Sequence, residues 1–447
     1  MSVQAIRQFA AMCAVVAVSL QAAVHAQDAQ PTTVDRQFIS AERGLSLTQL
    51  VAIALERSPA VLAARARVEA ARSEHVQAGV RPNPSVVSDF REEIGGKDRL
   101  TMLGLSWPLD LFRKPGRTEV ADSGAVIADN ELRNLERMLA AEVRSKTLQL
   151  TAAVRLATVR EQVAQTLGQF RDLVAARAES GAVPPLERDI ADVDARRAAA
   201  EILRQRAVAE AMLSELKALI GLQPGESLLL RDDLEQLAKL PELSEARLIG
   251  TTAPQTTGER ADVQLADAQI RAATANLSLI RLSTKPEVTL NTAYMRMSSG
   301  FPLFGLDAAG ALAPIHGVFH NVSIGAVVTL PFRDRRQGDI GAATARVTAA
   351  ERSAEATRLS ANAEVAAARS RTQRLDEAVA LYSGGLRDLA LKNVEVMRGS
   401  YQLGRATLLD VLSETRRLLE TEMAYADLLL ETLQARSDLA TAMGVIR

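Results

Sequence analysis

Two periodicities divide the chain. Leu103, Leu105, Trp107 and Leu109 alternate with Met102, Gly104, Ser106 and Pro108. Val322, Ile324, Ala326, Val328 and Leu330 alternate with Asn321, Ser323, Gly325, Val327 and Thr329, and Val288, Leu290 and Tyr294 alternate with Thr289, Asn291 and Ala293. A less regular segment over about 84–93 carries Val86 and Phe90. Alternation with one apolar face predicts strands that are wet on one side. Segments of about ten residues also match a tilted strand crossing a membrane core, with two soluble hairpins packed on helices as the alternative reading.

Between the strand pairs lie helical patterns. Leu156, Val159, Val163, Leu167, Phe170 and Val174 recur at spacings of three and four, as do Leu386, Ala390, Val394, Met397 and Tyr401. These seams predict long helices over roughly 117–180 and 337–402, neither with an interior proline. At 1.5 Å per residue each reaches about 96–99 Å, more than an ordinary domain requires. Shorter helices are predicted over roughly 46–78, with Ser46 as N-cap, and over 186–220, 259–282 and 406–444. Stacked end to end, each short pair matches the length of its long helix.

The same parts therefore occur twice in one order. Trp107-Pro108-Leu109-Asp110-Leu111-Phe112-Arg113 leads into a helix, as does Thr329-Leu330-Pro331-Phe332-Arg333. Arg81-Pro82-Asn83-Pro84-Ser85-Val86 resembles Thr284-Lys285-Pro286-Glu287-Val288. Gly181-Ala182-Val183-Pro184-Pro185-Leu186-Glu187 matches Gly404-Arg405-Ala406-Thr407-Leu408-Leu409-Asp410. The expected organisation is a first repeat over 27–220 with its hairpin at about 84–110, a Gly/Pro/Thr-rich connector over 221–258, and a second repeat over 259–447 with its hairpin at about 286–330. Four strands cannot close a barrel, and lipid tolerates no open sheet edge, so membrane strands here imply a barrel shared between chains.

Composition narrows the function. The chain has 447 residues with 53 Lys+Arg and 54 Asp+Glu, a balance that argues against nucleic-acid binding. Aromatics make up only 3%, too few for an aromatic-lined ligand pocket. Arg7, the apolar run Phe9–Leu20 and Val24-His25-Ala26 form a signal-peptide pattern over 1–26, with cleavage expected before Gln27. The single cysteine, Cys13, would leave with it, so the mature chain carries no thiol chemistry. No later apolar run approaches the length of a transmembrane helix.

Candidate chemistry is sparse. His316 and His320 stand four apart in a stretch that reads as loop entering strand, with Gly317 between them; a metal there is a weak reading. Met295 and Met297 share one strand face and are weak candidates as soft ligands, packing or lining being the plainer alternative. Arg113, Lys114 and Arg117, with Arg333, Arg335 and Arg336, cluster at the strand-to-helix corners, against lipid headgroups or as a solvated collar. Gly95-Gly96-Lys97-Asp98 reads as a hairpin tip. No nucleophile–base arrangement, zinc cluster or dinucleotide fingerprint is present, and no enzyme activity or cofactor is expected.

Gly44-Leu45-Ser46-Leu47-Thr48-Gln49-Leu50, the Pro82-Asn83-Pro84 turn, the two Phe-Arg corners and the paired Gly181 and Gly404 turns together resemble the outer-membrane efflux protein family, the TolC-like channels. Tyr401-Gln402-Leu403-Gly404-Arg405-Ala406-Thr407-Leu408-Leu409-Asp410-Val411-Leu412 is the most specific stretch. The likeness is strongest to the cobalt–zinc–cadmium, heavy-metal RND branch, through compact length, the Pro82-Asn83-Pro84 entry and the Leu330-Pro331-Phe332-Arg333-Asp334-Arg335-Arg336-Gln337-Gly338 corner. Glu259-Arg260-Ala261-Asp262 departs from the family, which usually has proline before that aspartate.

The resemblance implies a mainly α fold with a small transmembrane β part, a homotrimer with a 12-stranded barrel and a helical periplasmic tunnel. It implies outer-membrane lipid as surroundings, and a periplasmic adaptor and an inner-membrane RND pump as partners. It also places the closed end at the two helix turns. Asp410 matches an acidic gate position, Ser413 replaces a second acidic one, and Glu414 stands beside it. Gly181, Leu186, Gly404, Leu408 and Leu409 become candidates for the periplasmic tip and adaptor contact, with interhelical packing the alternative for the leucines. A soluble periplasmic coiled-coil adaptor or scaffold is the competing reading, and drugs, solvents or secreted peptides are the competing cargoes.

Overall fold

The computed structural model describes residues 37–94, 98–239, 260–306 and 308–444. The expected leader over 1–26 lies outside the described residues, as do Gly95, Gly96 and Lys97, the 240–258 part of the connector and residues 445–447.

Helix α1 spans Leu47–Arg57, and Ser46 caps it in a reciprocal box with Gln49. The single helix expected over 46–78 is instead two. Pro59 opens α2 (Pro59–Ala78) and has no N–H to continue α1. Its ring pushes Ser58 into the extended region, at φ −60° and ψ 124°, and the two helices meet at 49°.

Strands β1 (Ser85–Glu92), β2 (Arg99–Leu109), β3 (Glu287–Leu306) and β4 (Leu312–Thr329) form one antiparallel sheet in the order β1-β2-β3-β4. The β2–β3 pairing joins the two repeats, Leu109 facing Val288 and Arg99 facing Ser298. Strands β3 and β4 have 20 and 18 residues, about twice the expected length, with a register shift between Gly300 and Phe304. The second hairpin thus projects well past the first. His316 and His320 stand inside β4, opposite Gly300 and Arg296, and not in a loop. Residues four apart on a strand lie about 13 Å apart, so the helical spacing that would let two histidines share a metal does not apply.

Helix α3 (Lys114–Glu179) is continuous for 66 residues, about 99 Å. Helix α4 (Pro185–Leu219) folds back along it, and α5 (Leu234–Lys239) is a short helix within the expected connector. The second repeat has α6 (Ala261–Leu282), α7 (Gln337–Leu381), α8 (Arg387–Gln402) and α9 (Leu408–Ala442). The second long helix is interrupted: between α7 and α8 lies a π-helical segment, Tyr382–Leu386, where Gly385 has φ 115°. The interruption is one bend at a Gly-Gly pair, and α7, the bend and α8 together match the length of α3.

Helix α3 is the spine. It packs against α1, α2 and α4 of its own repeat and against α6 and α9 of the other. Its middle is buried almost all round, with Leu139, Val143, Leu148, Leu150, Val154 and Ala157 inside. Thr147, Thr151 and Thr158 reach this interior by returning their hydroxyl hydrogen bonds to carbonyls within the helix. The main core gathers Leu50, Val51, Ala54 and Val61 against Leu150, Val154, Leu216 and Ile220, with Leu228 and Leu230 of the connector closing it.

Helix α7 contrasts with α3: over 45 residues it buries only Ala343, Ala354, Ala361 and Thr372. Those small residues recur at 11, 7 and 11, close to 3.6 per turn, so the contact stripe runs straight. Helix α7 packs along α6, which itself buries Ala266, Ala268 and Ala275, and along α9.

Candidate functional site

The two repeats end in matched turns. Gly181 (φ 74°) closes α3 and Gly404 (φ 70°) closes α8. In each, the next residue reaches back five positions, Ala182 N–H to Arg177 O at 2.9 Å and Arg405 N–H to Ser400 O at 2.8 Å. This is the Schellman closure, which a left-handed glycine permits without Cβ strain. Helices α4 and α9 then start with Pro184 and Thr407 as N-caps.

An aromatic knot binds the turns together. Tyr401 is buried, its ring edge-on to Phe170 at 5.1 Å and under the Arg177 guanidinium at 4.8 Å. Arg177 Nη1 donates to the Tyr401 carbonyl at 2.8 Å, and the Tyr401 hydroxyl donates to Glu187 Oε2 at 3.1 Å. Burial, then the Glu187 carboxylate, pushes the Tyr401 phenol above its ordinary value, so it stays a neutral donor. Val174, Ala191, Leu408 and Val411 complete this core. Leu408 is therefore an internal packing residue and not an adaptor contact. Leu186 and Leu409, at 67% and 68% exposure, stand outside it on the surface.

Asp410 is exposed at the start of α9. It accepts from Thr407 N–H at 2.8 Å and from the Thr407 hydroxyl at 2.7 Å. Those hydrogen bonds hold its carboxyl below the ordinary aspartate value, so it is a fixed negative charge at neutral pH. Ser413 is exposed one turn on. Glu414 is mostly covered and pairs with Arg417 at 2.6 Å, so it supplies no second free carboxylate beside Asp410.

A second cluster lies far up the helices, just past the π segment. Arg387 grips Glu422 bidentately at 2.8 and 2.9 Å and reaches Glu235 of α5 at 3.3 Å. Arg155 of α3 joins both carboxylates, at 3.1 Å to Glu235 and 3.4 Å to Glu422. The Arg387 guanidinium also covers the Tyr425 ring at 4.2 Å. Burial opposes its charge, but the bonds to Glu422 and the charges of Glu422 and Glu235 outweigh that and raise its pKa. This belt ties the connector to both repeats. Sequence reasoning missed it, and missed Arg177 and Glu187, because the partners lie far apart in the chain.

The sheet has two unlike faces. Val86, Leu103, Leu105, Trp107, Leu109, Val288, Leu290, Tyr294, Val322, Ile324 and Val328 share one, by register. The opposite face carries Gly104, Ser106, Thr289, Asn291, Asn321, Ser323 and Gly325. His320 lies on the apolar face, its Nδ1 bonded to the Tyr294 hydroxyl at 2.5 Å. Met295 and Met297 lie on the other face, half-buried. Where strands meet helices, Arg113 pairs with Glu287 at 3.3 Å, and Arg117 pairs with Asp110 and donates to the carbonyls of Ala78 and Val80. Arg113 and Arg117 therefore brace the corner. Among the described residues no group of three His, Cys, Asp or Glu side chains is placed to hold a metal ion.

The family model described as outer membrane efflux protein matches residues 50–222 and 253–445. The fold is similar to that of the outer-membrane channel OprN, with TM-score 0.72 and 21% identity, over 92% of this chain and 95% of that one. It is similar to CusC, reported for its folding and transmembrane channel formation, with TM-score 0.71 and 19% identity over 93% and 95%. The open state of the MtrE outer membrane channel of Neisseria gonorrhoeae gives TM-score 0.68 and 20% identity over 89% and 88%. No curated protein matches the sequence.

Proposed function

The chain belongs to the outer membrane efflux protein family, and from that membership we propose that it is the exit duct of a tripartite RND-type efflux system, built as a homotrimer. The observation that carries the reading is the sheet. Among the described residues β1 pairs only with β2 and β4 only with β3, which leaves both sheet edges unpaired there. A sheet whose one face carries a predominantly apolar band, with open edges, is stable in lipid only if other copies complete it. Three copies supply twelve strands. The apolar face then meets lipid in the outer membrane, the small polar face lines a lumen, and the rods of about 99 Å continue it into the periplasm.

Helix α7 supports the same assembly, since so long a helix with so few buried residues leaves most of its surface to neighbouring copies. The paired turns form the narrow end. There Asp410 provides a ring of fixed carboxylates that favours cations over anions. Leu186 and Leu409 offer apolar contacts for a periplasmic adaptor, and the inner-membrane pump supplies the energy. Heavy-metal cations are the proposed cargo, on the strength of the sequence likeness to that branch.

The test is conductance of the purified protein in planar bilayers. The reading expects discrete channels with cation preference, and a weaker preference in Asp410→Asn. Absence of channels contradicts the duct, and an unchanged preference in the variant removes Asp410 from the gate.

A further inference from the structure

The lumen face of the sheet changes character along its length. Next to the helices it is mostly small, with two valines: Thr289 beside Pro108 and Val327, Ser106 beside Asn291 with Gly325 beyond, then Gly104 between Val87 and Ala293 with Ser323 beyond. One rung further out the row is Asp89, Met102, Met295 and Asn321, each directly opposite the next. The following rung is Arg91, Leu100, Met297 and Phe319. Three of the ten methionines in the chain thus fall within two rungs of one face.

The three methionines are only partly covered, beside Leu100 and Phe319, on the face that borders the lumen in the assembly proposed above, and a thioether there is open to a soft ligand. Directly opposed residues have Cβ atoms about 4.5–5.5 Å apart, and the diagonal Met102–Met297 pair is about 7–8 Å apart. Methionine has three rotatable bonds, which lets three sulfurs converge over that span. Thioether sulfur is a soft donor that selects Cu(I)-like cations over hard or oxygen-preferring ones. The Asn321 amide oxygen flanks the same row, and Asp89 at its other end is paired with Arg91 at 2.9 Å.

We infer that Met102, Met295 and Met297 form a soft-cation contact on the lumen face near the outer mouth, taking monovalent d10 cations such as Cu(I) and Ag(I) in transit. The inference rests on the duct reading for its cargo role, and within heavy-metal cations it points to soft monovalent ones, unlike the divalent cations of the branch the sequence resembles. Symmetry places three such contacts around one lumen.

The experiment titrates the detergent-purified protein with Ag(I) by equilibrium dialysis, with Zn(II) as the contrast. Wild type is expected to bind Ag(I) and not Zn(II) at this site. The triple variant Met102→Leu/Met295→Leu/Met297→Leu keeps apolar bulk and removes every sulfur, and should weaken Ag(I) binding at least tenfold. The single variant Met295→Leu serves if the triple does not assemble, and Met138→Leu, on an exposed helix position, should change nothing. X-ray absorption of Cu(I)-loaded protein should show sulfur ligands. Leucine variants that bind Ag(I) like wild type, or a Cu(I) shell without sulfur, overturn the contact. The bilayer channels are read separately: channels without Ag(I) binding sink this inference alone, whereas loss of the channels sinks the duct.

Discussion

Ile324→Arg separates a lipid-facing sheet from a water-facing one. Ile324 lies in the row Val86–Leu105–Thr292–Ile324, midway along the apolar band, and is 79% exposed within one chain. In a membrane barrel that exposure is to hydrocarbon. An arginine near the midplane of such a barrel costs about 2–4 kcal/mol, and three copies raise the total to about 6–12 kcal/mol per trimer. On a water-facing surface the same substitution stays within about 0.5 kcal/mol. Ser323 is the internal control: it is the next residue, on the opposite face, with only a long hydrogen bond to Ala293 O at 3.4 Å. The assay is the fraction of protein migrating as a heat-modifiable oligomer in outer-membrane fractions. Ile324→Arg should lose most of it and Ser323→Arg should retain it. Equal assembly of the two variants, or greater damage from Ser323→Arg, refutes the assignment of faces.

Ala261→Pro should raise stability by about 0.4–1 kcal/mol in thermal melts, since position 261 opens α6 and Arg260 before it is extended at φ −63° and ψ 137°, as a pre-proline residue requires. Gly385→Ala should destabilise by about 1–3 kcal/mol, because φ 115° strains any L-residue, whereas Gly384→Ala at φ −77° should be near neutral; equal effects would count against the strained bend. Asp262 is partly buried, which alone would raise its pKa. The bonds from Arg260 and the charges of Arg260 and Arg137 outweigh burial and hold it below the ordinary value of 3.8. A depressed carboxylate stabilises the fold above its unfolded pKa and loses that contribution as pH falls through its lower folded one. The melting-temperature gap between wild type and Asp262→Asn should therefore be full at pH 7 and shrink below about pH 4; a gap independent of pH would remove the ion-pair explanation.

The elements most legible in the sequence were those whose signal is local. Leu156 to Val174 repeat at helical spacing with nothing to interrupt them, and α3 is one rod. Leu103 to Leu109 alternate, and β2 presents them on one face. Breakers were underweighted: Pro59 and the Gly384-Gly385 pair each carried a signal that the surrounding periodicity masked. The lengths of β3 and β4 were hidden because the alternation fades past Tyr294, where the hairpin extends beyond the apolar band. At the site, the glycine turns were readable from the repeat itself. The fate of Leu408 was not, since Leu408 and Leu409 are adjacent and identical, and only the direction of the first turn of α9 buries one and exposes the other. The belt of Arg155, Glu235, Arg387 and Glu422 brings together side chains from four separate helices, a pairing no local pattern encodes.

The claim beneath all of this is that one chain holds a third of a closed sheet. Native mass spectrometry of protein extracted from the outer membrane in mild detergent addresses it directly. The account predicts a single species of three chains that stays assembled until the barrel is heated open. A lone chain, soluble in buffer without detergent and with its sheet intact, would contradict it.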